Sequence, residues 1–361
     1  MKRRDPIRVL VIDDSAYSRQ TITRMLDSSP LVEVIGWAGD GHEALRRTLE
    51  LEPDLITLDL EMPRMDGLTF LRLLMAKRPT PVIVVSGRAR GHDVFQALEL
   101  GAVDFIAKPS ARASDDLRSI EEGLIRKVHA VRDLRIDNVQ ERISSTPQIV
   151  TVPNQPADEH VPIVVIGSST GGPAALMQTL SAFADVPPCA FLVAQHMPAG
   201  FTRGFADRLD RMTPFSVREA TDGEAPESGC VLIAPGGSHL ELEAVDSRVL
   251  TRLCPDASSA RYVPSVDRLF ASAAKNVGAN VLAIVLTGMG DDGKAGARQV
   301  KEAGGRVVAE SEETAVIYGM PKQVINAGLA DRVLPLNEIP AAIHRGIGQI
   351  REQVSAVENQ P

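Results

Sequence analysis

Residues 9–15 read Val-Leu-Val-Ile-Asp-Asp-Ser. Four apolar residues followed at once by two carboxylates describe a short buried strand that ends at a polar edge. The design recurs downstream. Val32–Ala38, Leu55–Leu58 and Val82–Val85 are further apolar runs, each followed by a polar or glycine-bearing turn and an amphipathic stretch. A fifth short strand fits Asp104–Ala107. That βαβ rhythm predicts a parallel sheet.

The strand ends carry one chemical set. Strand one ends in Asp13-Asp14, strand three in Asp59 and strand four in Ser86, and strand five is followed by Lys108-Pro109. Ligands of an open parallel sheet gather outside these carboxyl ends. Three carboxylates in one pocket repel each other unless a cation sits among them, and hard oxygen ligands suit Mg2+. A lysine and a hydroxyl beside them can hold phosphoryl oxygens. Any single strand-end aspartate is read more simply as a helix cap or turn residue. Five such positions at successive strand ends favour the phosphate site.

The segments VLVIDDS, ITLDLEMPRMDG, VIVVSG and DFIAKP, within residues 7–130, resemble the receiver domain of two-component response regulators. The resemblance implies a flavodoxin-like, doubly wound fold and phosphorylation at Asp59. It implies Mg2+ held by Asp13, Asp14 and Asp59. It also makes Ser86 and Phe105 the hydroxyl and aromatic switch positions and Lys108 the phosphate-binding lysine.

The chain has 361 residues, more than one core usually holds, so two domains are expected. From Asp115 to about Arg135, apolar residues step by three and four, one face of a helix. Ser144–His160 is rich in Pro, Ser, Thr, Asn and Gln and reads as an exposed linker. The expected division is a receiver over 1–130, a linker over 131–160, a catalytic domain over 161–350 and a polar, frayed tail over 351–361.

A second βα series opens at Ile163. Ile163–Ile166, Ala190–Ala194, Val231–Ala234, Val281–Leu286 and Val307–Ala309 read as buried strands of a mostly parallel sheet. Leu240–Glu243 and Val249–Leu253 suggest an antiparallel excursion.

Three of these strands end in groups that could form a hydrolytic triad. Ile163–Ile166 leads into Gly-Ser-Ser-Thr-Gly-Gly-Pro at 167–173, where a serine could project over the sheet edge near helix N-terminal amides. A phosphate-binding loop or a structural turn is an equal reading of that loop alone. Ala190–Ala194 ends in Gln195-His196, and Val281–Leu286 runs into Thr-Gly-Met-Gly-Asp-Asp-Gly at 287–293. A histidine base and an orienting carboxylate at the same edge would complete the set. The order Ser–His–Asp separates this chain from the α/β-hydrolases, which run Ser–Asp–His. His239 is the competing histidine and ranks below His196. Asn280, Glu310 and Tyr318 carry no assignable role.

IGSSTGGP, AQHMP, APGGSH, VLTGMGDDG and YGMPK, spread over residues 161–345, resemble the CheB family of chemotaxis protein-glutamate methylesterases. The resemblance implies a receiver joined to a larger Rossmann-like α/β hydrolase domain. It assigns Ser169 as nucleophile, His196 as base and Asp292, rather than Asp291, as the orienting acid. Met289 would supply an oxyanion amide, and Thr170 would line the site. Of the adjacent serines, the spacing to Thr170-Gly171-Gly172 favours Ser169 over Ser168.

The implied activity is hydrolysis of glutamate methyl esters on methyl-accepting chemotaxis receptors, with deamidation of receptor glutamines beside it. A chemotaxis histidine kinase would be the phosphodonor, and no metal would be needed in the catalytic domain. The unphosphorylated receiver would cover the catalytic cleft, and phosphorylation would relieve that inhibition. Two other readings stand beside this one: the same chemistry on a signalling receptor outside chemotaxis, and a non-catalytic receiver adaptor.

A net charge of −8 without a basic block argues against nucleic acid, and the second half offers no helix-turn-helix. Three well-separated cysteines without a C-x-x-C fit reduced cytosolic thiols. No apolar run approaches the roughly 20 residues of a membrane span. The expected location is the cytoplasm.

Overall fold

The structure, a computed structural model, describes residues 5–87, 91–108, 120–144, 149–151, 161–246, 248–255 and 261–358. The chain divides into two compact units, residues 1–145 and 146–361.

The first unit alternates strand and helix: β1 (Ile7–Ile12), α1 (Ala16–Asp27), β2 (Val32–Ala38), α2 (Gly41–Leu51), β3 (Leu55–Leu58), α3 (Gly67–Lys77), β4 (Val82–Gly87), α4 (Gly91–Glu99), β5 (Asp104–Lys108) and α5 (Glu121–Ala130). Its five strands are parallel in the order β2-β1-β3-β4-β5. Such a sheet is covered on both faces, and β3 is buried at all four positions. Short polar residues start the helices. Ser15 accepts the Ser18 N–H, Asp40 accepts those of His42 and Glu43, and Asp66 accepts that of Thr69.

The helical pattern after residue 120 does not run unbroken. After α5 the chain makes a 3-10 turn over Val131–Asp133 and starts a new helix, α6 (Ile136–Ser144). Most of residues 131–144, expected to open the linker, is therefore helical. The start of the expected helix, 115–119, and most of Ser144–His160 lie outside the described residues. Val150 is described, and it pairs with the stretch after a helix of the second unit: its N–H donates to Ala182 O and its carbonyl accepts the Ala184 N–H.

The second unit contains β6 (Ile163–Ser168), α7 (Gly172–Ser181), β7 (Ala190–Gln195), α8 (Thr202–Met212), β8 (Ser216–Glu219), β9 (Cys230–Ile233), β10 (Ser238–Val245), β11 (Arg248–Pro255), α9 (Val266–Val277), β12 (Val281–Val285), α10 (Lys294–Glu302), β13 (Arg306–Glu310), α11 (Met320–Asn326), β14 (Arg332–Leu334) and α12 (Ile339–Glu358). Seven strands pair in parallel in the order β14-β13-β12-β6-β7-β9-β8. β10 and β11 form a separate antiparallel hairpin, longer than the sequence pattern suggests.

The two edge strands, β8 and β14, do not stand out in the sequence. Ser-Val-Arg-Glu and Arg-Val-Leu are too short and too polar to register as apolar runs. α12 continues through Glu358, so most of the expected frayed tail is helical.

Both sheets reverse their strand order beside the first strand of the sheet. The first does so between β1 and β3, the second between β6 and β12. At such a point the following loops part to opposite faces and leave a crevice outside the strand ends. Asp13 and Asp59 flank the first crevice, and Ser169 and Asp292 flank the second.

Candidate functional site

In the first unit, Asp13 and Asp59 are buried and Asp14 is exposed. Carboxylate oxygens of the three lie within 4.8 Å of one another. The Lys108 ammonium, at the end of β5, reaches Asp13 Oδ2 at 2.6 Å and Asp59 Oδ2 at 2.5 Å. Burial would lower the lysine pKa, but the facing Asp13 and Asp59 charges outweigh it and hold it above its ordinary value. Burial, aided by Asp59, pushes the Asp13 carboxyl up despite Lys108. Ser86 and Phe105 are buried on β4 and β5. Three clustered hard oxygens that repel one another are the donor set a divalent cation satisfies, so the residues present fit Mg2+.

In the second unit, His196 follows β7, and its Nε2 lies 2.8 Å from Asp292 Oδ2. Asp292 is buried among further donors. Its Oδ2 accepts the Val266 N–H at 2.8 Å. Its Oδ1 accepts the Ser265 hydroxyl and the N–H groups of Asp267 and Gly293. Burial alone would raise this carboxyl. The hydrogen bond and charge of His196, with the backbone donors, outweigh burial and hold it below the ordinary aspartate value.

Ser169 begins the turn between β6 and α7. Its N–H donates to Thr287 O, and its carbonyl accepts the Gly172 N–H. Gly171 takes φ +77°, a left-handed conformation that suits glycine, and starts α7. Gly288 lets the loop after β12 close on the serine: a Cβ there would lie 2.8 Å from Ser169 Cβ. Met289 follows on that loop. Thr170 is buried, and its carbonyl accepts the Thr287 hydroxyl. Among the described residues the Ser169 hydroxyl makes no hydrogen bond to the His196 ring, a contact that commonly tightens only with substrate bound.

A family model described as CheB methylesterase matches residues 164–343, and one described as response regulator receiver domain matches residues 9–119. Protein-glutamate methylesterase/protein-glutamine glutaminase 3 of Geobacter sulfurreducens is 47% identical, with 96% of this chain and 99% of that protein covered. Its counterpart 1 from Myxococcus xanthus is 48% identical, covering 95% and 98%.

The chain belongs to the CheB methylesterase family.

A solved CheB methylesterase catalytic domain from Thermotoga maritima is similar over 51% of this chain and 98% of its own, with 44% identity and a TM-score of 0.50. The fold is accordingly that of a receiver followed by a CheB catalytic domain. Among the described residues no helix is long and apolar enough to cross a membrane.

Several residues at the CheB site escaped the sequence reading. The Tyr262 ring stacks on the His196 imidazole, with centroids 4.8 Å apart and planes 10° from parallel. The Arg261 guanidinium lies over the Tyr262 ring, 5.0 Å from its centroid. Gln195 bonds the backbone on both sides of the site. Glu310, without a role in the sequence, is fully buried; it accepts the Thr287 N–H at 2.7 Å and the Thr314 hydroxyl at 3.0 Å. The competing histidine, His239, is buried on β10 and accepts the Ser265 N–H at its Nδ1. It therefore buttresses the loop that holds Asp292. The available signals were a glutamine closing an apolar run and a serine opening the helix at Val266.

Proposed function

We propose that Ser169, His196 and Asp292 hydrolyse glutamate methyl esters, and deamidate glutamines, on methyl-accepting chemotaxis receptors. The observation that carries this reading is the pairing of His196 with the buried Asp292, bonded at 2.8 Å one strand away from Ser169.

With Nε2 committed to Asp292, Nδ1 is the base. The Ser169 hydroxyl attacks the ester carbonyl and its proton passes to His196 Nδ1. Asp292 stabilises the resulting imidazolium. The oxyanion is held by the Met289 N–H, on the loop that Gly288 lets close on Ser169. The tetrahedral species collapses; the C–O bond to the methoxy group breaks and His196 returns the proton, releasing methanol. Water, deprotonated by His196, then cleaves the acyl-serine to glutamate and regenerates Ser169. With a primary amide the same steps release ammonia.

In the receiver, Asp59 takes the phosphoryl group from a chemotaxis histidine kinase. Asp13, Asp14 and Asp59 would hold Mg2+, which neutralises phosphoryl charge when bound. Lys108 and Ser86 hold phosphoryl oxygens, and Phe105 responds to that state. Phosphorylation raises the hydrolytic rate, and the protein acts at the cytoplasmic face of the receptors.

The test is methanol release from methylated receptor membranes by the full chain, with and without a small phosphodonor. Ser169→Ala should abolish release yet still be phosphorylated. Asp59→Ala should keep the basal rate and lose the stimulation. Undiminished release by Ser169→Ala would defeat the triad reading.

A further inference from the structure

Gln195 closes β7 with its side chain 2% exposed. Its carboxamide makes three hydrogen bonds. Nε2 donates to the Ser169 carbonyl at 3.0 Å and to the His196 carbonyl at 3.1 Å. Oε1 accepts the Ser168 hydroxyl at 2.6 Å. Chemistry fixes the amide orientation, since only the NH2 end can face two carbonyl oxygens.

The place of these bonds in the fold explains their use. The β6–β7 ladder ends at the pair Ser168 and Gln195, with a last bond from the His196 N–H to Ser168 O. Past this point one chain turns into α7 and the other runs to Pro198, so the ladder no longer sets their separation. The amide supplies the missing rungs. Gly172 makes room for it: a Cβ there would overlap Gln195 Oε1 and lie 2.8 Å from Ser168 Cβ.

We propose that Gln195 is a positioning residue for the hydrolysis, clamping the backbones of Ser169 and His196 at the spacing their proton transfer needs. The proposal rests on Ser169 and His196 being nucleophile and base. A misplacement of about 1 Å between reacting groups costs on the order of 100-fold in rate.

The test compares the full-length wild type with Gln195→Glu and Gln195→Met, following methanol release across pH, with Ser169→Ala alongside. The carboxylate of Gln195→Glu has the shape of the amide but no donor; once protonated it regains one. Burial and two facing carbonyl oxygens raise the pKa of that carboxyl. The expected result is a kcat about 100-fold below wild type at alkaline pH with KM little changed. The ratio of variant to wild-type kcat should climb as pH falls from about 9 to about 6. Gln195→Met, with neither donor nor titratable group, should show a similar loss at every pH.

A flat ratio for a folded Gln195→Glu, or wild-type kcat in Gln195→Met, would overturn the clamp. If Gln195→Glu does not fold, Gln195→Met decides. Turnover by Ser169→Ala would instead overturn the triad reading on which the clamp rests.

Discussion

The imidazole of His196 meets Asp292 through Nε2, at 2.8 Å from Oδ2. The serine-protease template joins histidine and aspartate through Nδ1 instead. In the proposed mechanism Nδ1 is then the nitrogen that serves the nucleophile, and the base would operate with the ring turned end for end.

That arrangement predicts the tautomer. In the resting enzyme the neutral His196 should carry its proton on Nε2, visible in 15N-resolved NMR of the ring. Asp292→Asn can place an amide N–H against Nε2 and drive the proton to Nδ1. The expected outcome is a kcat roughly 10⁴-fold lower, with KM nearly unchanged. A smaller loss with an unaltered tautomer would show that the pairing does not set the ring.

Asp292 also links stability to pH. Its folded pKa lies below the ordinary value of 3.8, so its stabilising contribution is present above that value and disappears as pH falls through the folded pKa. Urea midpoints of wild type and Asp292→Asn should therefore differ most above about pH 4 and converge below it. Curves that stay parallel into strong acid would contradict the assignment.

Gly288→Ala is expected to damage the catalytic site directly. The added methyl would overlap Met320 Sδ and sit 2.8 Å from Ser169 Cβ and 3.0 Å from the Ser169 nitrogen. Overpacking of this kind costs typically 1–3 kcal/mol, read as a lower melting temperature. Methanol release should fall further than that loss of folded protein explains, because the Met289 loop is displaced with it. Phosphorylation of the variant should be unaffected.

The receiver carries a built-in optical reporter. Trp37 is the sole tryptophan of the chain, and the Arg19 guanidinium lies 4.9 Å from the centroid of its ring. The same guanidinium donates to the carbonyls of Asp13 and Asp14. Mg2+ drawn among the carboxylates should shift that backbone and change Trp37 emission. Arg19→Ala should flatten the response, whereas Asp59→Asn should move it to higher Mg2+. A response that survives Arg19→Ala intact would rule out this route.

The parts legible in the sequence were those written as strand-end letters. Asp13, Asp59, Lys108, Ser169, His196 and Asp292 each follow an apolar run, and a parallel sheet delivers such positions to one edge. β8 and β14 were not legible, because short edge strands need no continuous apolar run. The break before α6 was hidden because Val128 and Val131 keep helical spacing through the 3-10 turn. Tyr262 and Gln195 were missed for a different reason. Their roles are tertiary contacts, and the backbone amides of Val266 and Asp267 that saturate Asp292 leave no letter in the sequence.

The reversal of strand order between β6 and β12 has a practical corollary. The proposed reactive groups Ser169, His196 and Asp292 all sit on turns leaving one rim of the sheet. Grafting or randomising the turns after β6, β7 and β12, with the strands beneath them kept, should therefore alter substrate preference while leaving the sheet intact.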